Sequence, residues 1–138
     1  MQRVGIVIGA FDLLHTGHLL MLEECKNYCD YLIVGLYLNP NTTQEEKGIP
    51  VETIFERQVR VRACKFVDEI FILDNPDDKN ALVGWLYGKH GDNLIRFMSE
   101  EYKDRGDLVE LNLPIDVHFN SRKHNYSSTN LRKRLCKK

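Results

Sequence analysis

His15 and His18 stand three positions apart with Gly17 beside the second, inside the run Gly9-Ala10-Phe11-Asp12-Leu13-Leu14-His15-Thr16-Gly17-His18. Two imidazoles at this spacing suit two kinds of chemistry. Metal ligation needs a third ligand and an organising outer shell, and no recognisable spacing supplies either. Phosphate chemistry suits the residue types better, because imidazolium groups can donate to non-bridging oxygens while negative charge redistributes during phosphoryl or nucleotidyl transfer. Gly17 would let the backbone approach such an anion with no Cβ in the way. Asp12 has two candidate roles, orienting a backbone turn or helping to hold a metal.

A second set of polar residues lies near the far end, in Ser127-Ser128-Thr129-Asn130-Leu131-Arg132, with Arg122 five residues upstream. Hydroxyls at the start of a helix serve as caps. The same hydroxyls and backbone N–H groups also hold phosphate, with arginines to assist.

None of these groups acts unless something fixes it. Residues 4–8 are a short apolar run of the kind found in a buried parallel strand. After Gly17, Leu22, Cys25 and Cys29, with Met21 and Tyr28, recur at helical spacing. The histidines therefore fall where a strand hands over to a helix N-terminus, whose unbonded N–H groups and dipole favour an anion. Residues 31–36 predict a second strand and complete a βαβ unit. Residues 39–50 read as a polar loop carrying Lys47, and 51–66 as a helix with Arg57, Arg60 and Arg62. A third strand is predicted at 69–73, a helix at about 80–87 after a break at 75–78, a fourth strand at 94–98, a fifth around 116–119, and a closing helix at 127–135. Strands alternating with helices predict an α/β fold, a Rossmann-like open sheet of about five parallel strands with helices on both faces. The 138 residues suit a single domain spanning 1–138.

Composition narrows the partners. Apolar residues make up 43% and charged residues 28%, as in a soluble globular protein, and the net charge of −1 exerts no overall pull toward nucleic acid or membrane. From Arg122 onward the chain is basic, with no acidic residue, but it lacks the interleaved stacking aromatics of a nucleic-acid surface. No apolar run approaches the ~20 residues of a membrane span, and the first residues enter a strand pattern without signal-peptide architecture. The four cysteines form no C-x-x-C pair and read as buried free thiols. These features predict a cytoplasmic protein.

The pattern Gly-x-Phe-Asp-x-x-His-x-Gly-His resembles the signature of the nucleotidyltransferase superfamily that carries a His-x-Gly-His motif. In detail, residues 11–18 look most like the cytidylyltransferases, above all those that act on glycerol 3-phosphate. Glu56-Arg57, Phe66-Val67-Asp68-Glu69-Ile70 and Ser127 to Arg132 follow in the family's order, so the resemblance spans about residues 4–135. It implies transfer of a nucleotide from CTP to a small phosphorylated alcohol such as glycerol 3-phosphate, with release of pyrophosphate, Mg²⁺ bridging the phosphates, and a homodimer. His15 and His18 would stabilise the α-phosphate, with Gly9, Ala10, Phe11 and Gly17 lining the nucleotide. Arg122, Ser127, Ser128, Thr129 and Arg132 would hold the β- and γ-phosphates. Lys47 and Arg57 would complete the catalytic set with the histidines by holding the acceptor and the α-phosphate, with Asp12 also at the acceptor. Two departures stand out. Ala10 occupies a position where many relatives carry Thr. Ser99-Glu100-Glu101 replaces a Gly-Asp-Asp segment that lies beside the nucleotide and acceptor in the family. An adenylyltransferase of the same fold, using ATP with a sugar phosphate, flavin mononucleotide or pantetheine phosphate, is the nearest alternative. A nucleotide-binding regulatory module without turnover is the alternative from another class.

Overall fold

Each apolar run becomes a strand, and the polar breaks between them become helix caps. The computed structural model describes residues 2–38, 49–99, 113–121 and 128–136. In chain order these contain β1 (Val4–Gly9), α1 (Thr16–Asn27), β2 (Tyr31–Tyr37), α2 (Ile54–Ala63), β3 (Glu69–Leu73), α3 (Pro76–His90), a 3₁₀ turn at Gly91–Asn93, β4 (Leu94–Ser99), β5 (Asp116–Asn120) and α4 (Ser128–Cys136). The strands form one sheet in the order β3-β2-β1-β4-β5. Every neighbouring pair is parallel, with Val4 beside Tyr31 on one side and Leu94 on the other.

Continuous apolar strands are needed because both faces of the sheet are covered. On one face Val7, Leu32, Val34, Leu36, Ile95 and Phe97 pack with Leu22 and Cys25 of α1 and Val61 of α2. On the other, Val4, Ile6, Ile33, Leu73 and Leu94 pack with Leu82, Val83 and Leu86 of α3. Gly5 is where α1's exit meets the sheet. A Cβ there would lie 2.5 Å from the Phe97 ring and 2.9 Å from Cys29 Sγ. Burial pushes both neighbouring thiols up, Cys25 strongly and Cys29 to about 11, so neither is a thiolate at neutral pH. All four cysteines are free, but the burial expected of them holds fully only for Cys25: Cys29 and Cys64 are partly buried, and Cys136, at the end of α4, is exposed.

Two helices differ from the sequence expectation for the same reason. The helix predicted over 51–66 is Ile54–Ala63, because Thr53 and Glu56 close a capping box at its start. The helix predicted at about 80–87 is the longer Pro76–His90. Asn75 caps it, Asp78 bonds back to Asn75 N–H, and Pro76 sits in the first turn. The Asn-Pro-Asp-Asp run is a helix start, where Pro is tolerated, as well as a break. The loop expected at 39–50 lies outside the described residues except for its last two. Among the described residues no helix is long and apolar enough to cross a membrane.

Candidate active site

The order β3-β2-β1-β4-β5 reverses direction at β1, and open sheets bind ligands at the carboxyl ends of the strands beside such a reversal. β1 ends there at Gly9, and α1 begins seven residues later. Within that connection Phe11 and Leu13 adopt left-handed backbone angles, φ 51° and 54°. Each costs an L-residue on the order of 1–2 kcal/mol, so surrounding contacts must hold it. Phe11 is buried, and its ring lies 5.3 Å from that of His18.

Three side chains hold the connection. The buried Asp12 carboxylate accepts from Val51 N at 2.8 Å and Glu52 N at 2.9 Å. Buried Glu52 answers in the other direction, accepting from Leu13 N at 2.7 Å. Arg57 lies wholly inside, donating to the carbonyls of Ala10, Tyr37, Leu38 and Glu52. Its guanidinium thus joins the carboxyl ends of β1 and β2 to the segment entering α2. Burial lowers the Arg57 pKa, and the carboxylates of Asp12 and Glu52 oppose that shift.

The histidines cap α1 reciprocally. His15 is the N-cap residue, its Nδ1 accepting from His18 N at 3.3 Å, while His15 N donates to His18 Nδ1 at 3.2 Å. Their rings stack with centroids 3.8 Å apart. Because both Nδ1 atoms accept from backbone N–H groups, each ring carries its proton on Nε2. The sequence suggested imidazolium donors. The capping geometry makes them neutral Nε2–H donors, since a proton on Nδ1 would oppose a backbone N–H.

The first turns of the helices differ in the same sense. α2 and α3 carry Glu56 or Asp77 and Asp78 there, answering their own dipoles. α1 and α4 carry no acidic residue in the first turn. Their positive ends are therefore suited to an anion from outside. Arg132 of α4 reaches Asp12 Oδ2 at 2.8 Å, which brings the far end of the chain to the histidine connection. Arg60 pairs with Glu52 at 2.6 Å. Two carboxylates thus pair with two guanidiniums, Arg60 with Glu52 and Arg132 with Asp12, while Arg57 feels the charge of both carboxylates. α1 itself is tied down from behind, Glu24 bonding His118 at 2.8 Å and Ser121 N at 3.3 Å.

The structure brings together Gly9, Ala10, Phe11, Asp12, His15, Gly17, His18 and Arg132. It places Arg57 differently from the sequence expectation: its guanidinium is bonded to four backbone carbonyls and holds the connection. Asp12 likewise holds backbone and Arg132, so of its two candidate roles the turn is the one its contacts fill. Lys47, Glu100, Glu101, Arg122 and Ser127 lie outside the described residues. Ser128 and Thr129 open α4 by backbone, their side chains being outside the description. Glu52 and Arg60 were missed, since a lone acid before a helix cap and one arginine among three carry no spacing signal.

Fold and site together define an open parallel α/β domain with a histidine-capped strand–helix junction at its topological reversal. The family model described as Cytidylyltransferase-like matches residues 6–134, and the chain belongs to that family. It is 32% identical over 118 residues to the FAD synthase of Ferroglobus placidus, covering 80% of this chain and 74% of that protein. It is also 38% identical over 72 residues to the ethanolamine-phosphate cytidylyltransferase of Arabidopsis thaliana, covering 51% of this chain and 17% of that protein. The match thus spans about a fifth of the length of such ethanolamine-phosphate relatives. Among solved structures, a lipopolysaccharide core biosynthesis protein from Thermoplasma volcanium shares the fold at a TM-score of 0.66 and 21% identity, covering 88% of this chain and 98% of that one.

Proposed function

We propose that this chain is a nucleotidyltransferase that joins the nucleoside monophosphate of CTP to a small phosphorylated alcohol, the class that includes glycerol 3-phosphate and ethanolamine phosphate. The observation that carries this is the His15–His18 cap, which presents two neutral Nε2–H donors at a helix N-terminus without acid in its first turn. An acceptor phosphate oxygen attacks the α-phosphorus in line. The bond to the α–β bridging oxygen breaks, and pyrophosphate leaves with the electron pair. The attacking oxygen is already anionic, so no strong general base is required, and catalysis is positioning and charge stabilisation. His15 and His18 donate to the α-phosphate. Arg132, with Arg122, Ser127, Ser128 and Thr129, holds the leaving pyrophosphate, and Lys47 holds the acceptor.

Mg²⁺ brought in with the triphosphate would supply neutralisation of its charge. The described residues suit a metal carried in by the nucleotide: Asp12 is already bonded by Val51 N, Glu52 N and Arg132. We assign a homodimer, supported by exposed Ile49, Val51, Phe55 and Val59 on and before α2. A monomer by light scattering removes that assignment. The cytoplasm is the proposed location, in keeping with four free thiols.

ATP with flavin mononucleotide is the second reading, favoured by the match to an FAD synthase over most of both chains. The deciding experiment measures pyrophosphate release for four nucleoside triphosphates against phosphorylated alcohols, sugar phosphates and flavin mononucleotide, with Mg²⁺. Release with CTP and a phosphorylated alcohol is expected. Release only with ATP transfers the assignment to the second reading, and nucleotide binding without release over the whole panel leaves a regulatory module. Within the working pair, Arg132→Ala is expected to raise the triphosphate KM about tenfold or more while leaving the acceptor KM near its wild-type value. An effect confined to the acceptor KM would remove Arg132 from the pyrophosphate site.

A further inference from the structure

The geometry points to Glu52 as a positioning residue for the histidine pair, acting through the backbone of Leu13. Its side chain is 6% exposed, and it lies between the two segments that must stay in register. Its backbone N–H goes to Asp12 Oδ1 at 2.9 Å, and its carbonyl takes Arg57 Nε at 3.2 Å. Oε1 accepts from Leu13 N at 2.7 Å, and Oε2 pairs with Arg60 Nε at 2.6 Å.

Leu13 is the second of the two left-handed residues, and its φ of 54° sets the direction from which the chain reaches His15. A strained residue persists only when its surroundings over-determine it. Asp12 is fixed from both oxygens, and the Ala10 carbonyl is held by Arg57. At Leu13, Glu52 supplies the bond to the N–H. Two residues further on, His15 N must meet His18 Nδ1 and His15 Nδ1 must meet His18 N, at 3.2 and 3.3 Å. Releasing Leu13 lets its φ relax toward negative values, which turns the chain entering His15. The reciprocal cap then opens, and with it the fixed Nε2–H tautomers.

Reach and charge can be separated at this position. Glu52→Gln keeps an oxygen at the same reach without the charge. Glu52→Asp keeps the charge and draws the oxygen back by one methylene. Arg60→Ala removes the ion pair and leaves the bond to Leu13 N. The kinetic part of the test rests on the nucleotidyl-transfer reading, whereas the spectroscopic part does not.

Imidazole nitrogen NMR at about pH 8, where an unperturbed imidazole is neutral, should show wild-type His15 and His18 protonated at Nε2. Glu52→Gln and Arg60→Ala are expected to keep those signatures and near wild-type kcat. Glu52→Asp is expected to mix the tautomers and to lower kcat about 10- to 100-fold, the cost of a misplacement of about 1 Å, with the triphosphate KM changed much less. Circular dichroism confirms that each protein is folded, and if Glu52→Asp fails to fold, Glu52→Thr, with its hydroxyl short of Leu13 N, takes its place. The reverse order of Gln and Asp, equal effects of the two, or wild-type tautomers in the folded short variant overturns the proposal. A wild-type protein that releases no pyrophosphate over the panel removes the function assignment instead, and the tautomers alone then decide the role of Glu52.

Discussion

His18→Ala is expected to lower the kcat of the proposed pyrophosphate release by about 10²- to 10³-fold or more, while the sheet stays folded. On the nucleotidyl-transfer reading, the substitution removes one of the two donors proposed for the α-phosphate. Loss of a single preorganised donor to developing charge costs about 10²–10³-fold in comparable sites. It also removes the acceptor for His15 N, so the surviving histidine is no longer held from both sides. Stability changes little by comparison: half of one helix cap is lost, at about 1 kcal/mol. The core beneath, Leu22 and Cys25 against the sheet, is untouched.

Cap and donor can be told apart. His18→Asn offers a side-chain oxygen to His15 N and no Nε2–H to a phosphate. It is expected to keep the wild-type melting temperature to within a few degrees and to be nearly as inactive as the alanine variant. Steady-state pyrophosphate release and thermal melting on the same preparations check both. Turnover near wild type in either variant would take the histidines out of the reaction.

The parts of the molecule that follow from periodicity were legible in the sequence. Strand runs at residues 4–8, 31–36 and 69–73 needed no more than continuous apolar character, and β1, β2 and β3 stand there. The histidine pair was legible because two imidazoles and a glycine occupy a strand–helix handover. Its tautomers were not, since they depend on which backbone N–H each ring faces. The residues that brace the connection were hidden for a different reason. Asp12, Glu52, Arg57, Arg60 and Arg132 come from three regions of the chain and are joined by backbone atoms as much as by charge. A pattern of side-chain types does not record which carbonyls point inward. Arg57 shows this most clearly. Beside Glu56, on a helix with two further arginines, it reads as a surface cation available to phosphate. The helix instead turns it inward, because Val61, four residues on, shares its buried face.

Arg57→Ala is expected to destabilise the protein by about 3–5 kcal/mol, the range for deleting one partner of a buried charged network. The carbonyls of Ala10, Tyr37, Leu38 and Glu52 would all lose a donor in the interior. In a domain of this size that corresponds to a fall of about 10–20 °C in Tm. Arg57→Lys is expected to recover little of the loss. One ammonium has no planar fork with which to span carbonyls on two strand ends and a helix entry. Activity at a temperature where the variant is still folded should fall through kcat as well as the acceptor KM, because the Ala10 carbonyl sits directly before the strained turn at Phe11. An arginine gripping the acceptor's phosphate would behave in the opposite way. Its lysine variant would keep the wild-type Tm and raise the acceptor KM alone. Thermal melting of both variants, with acceptor titrations below the transition, separates the two roles, and an unchanged Tm for Arg57→Ala would return Arg57 to the substrate.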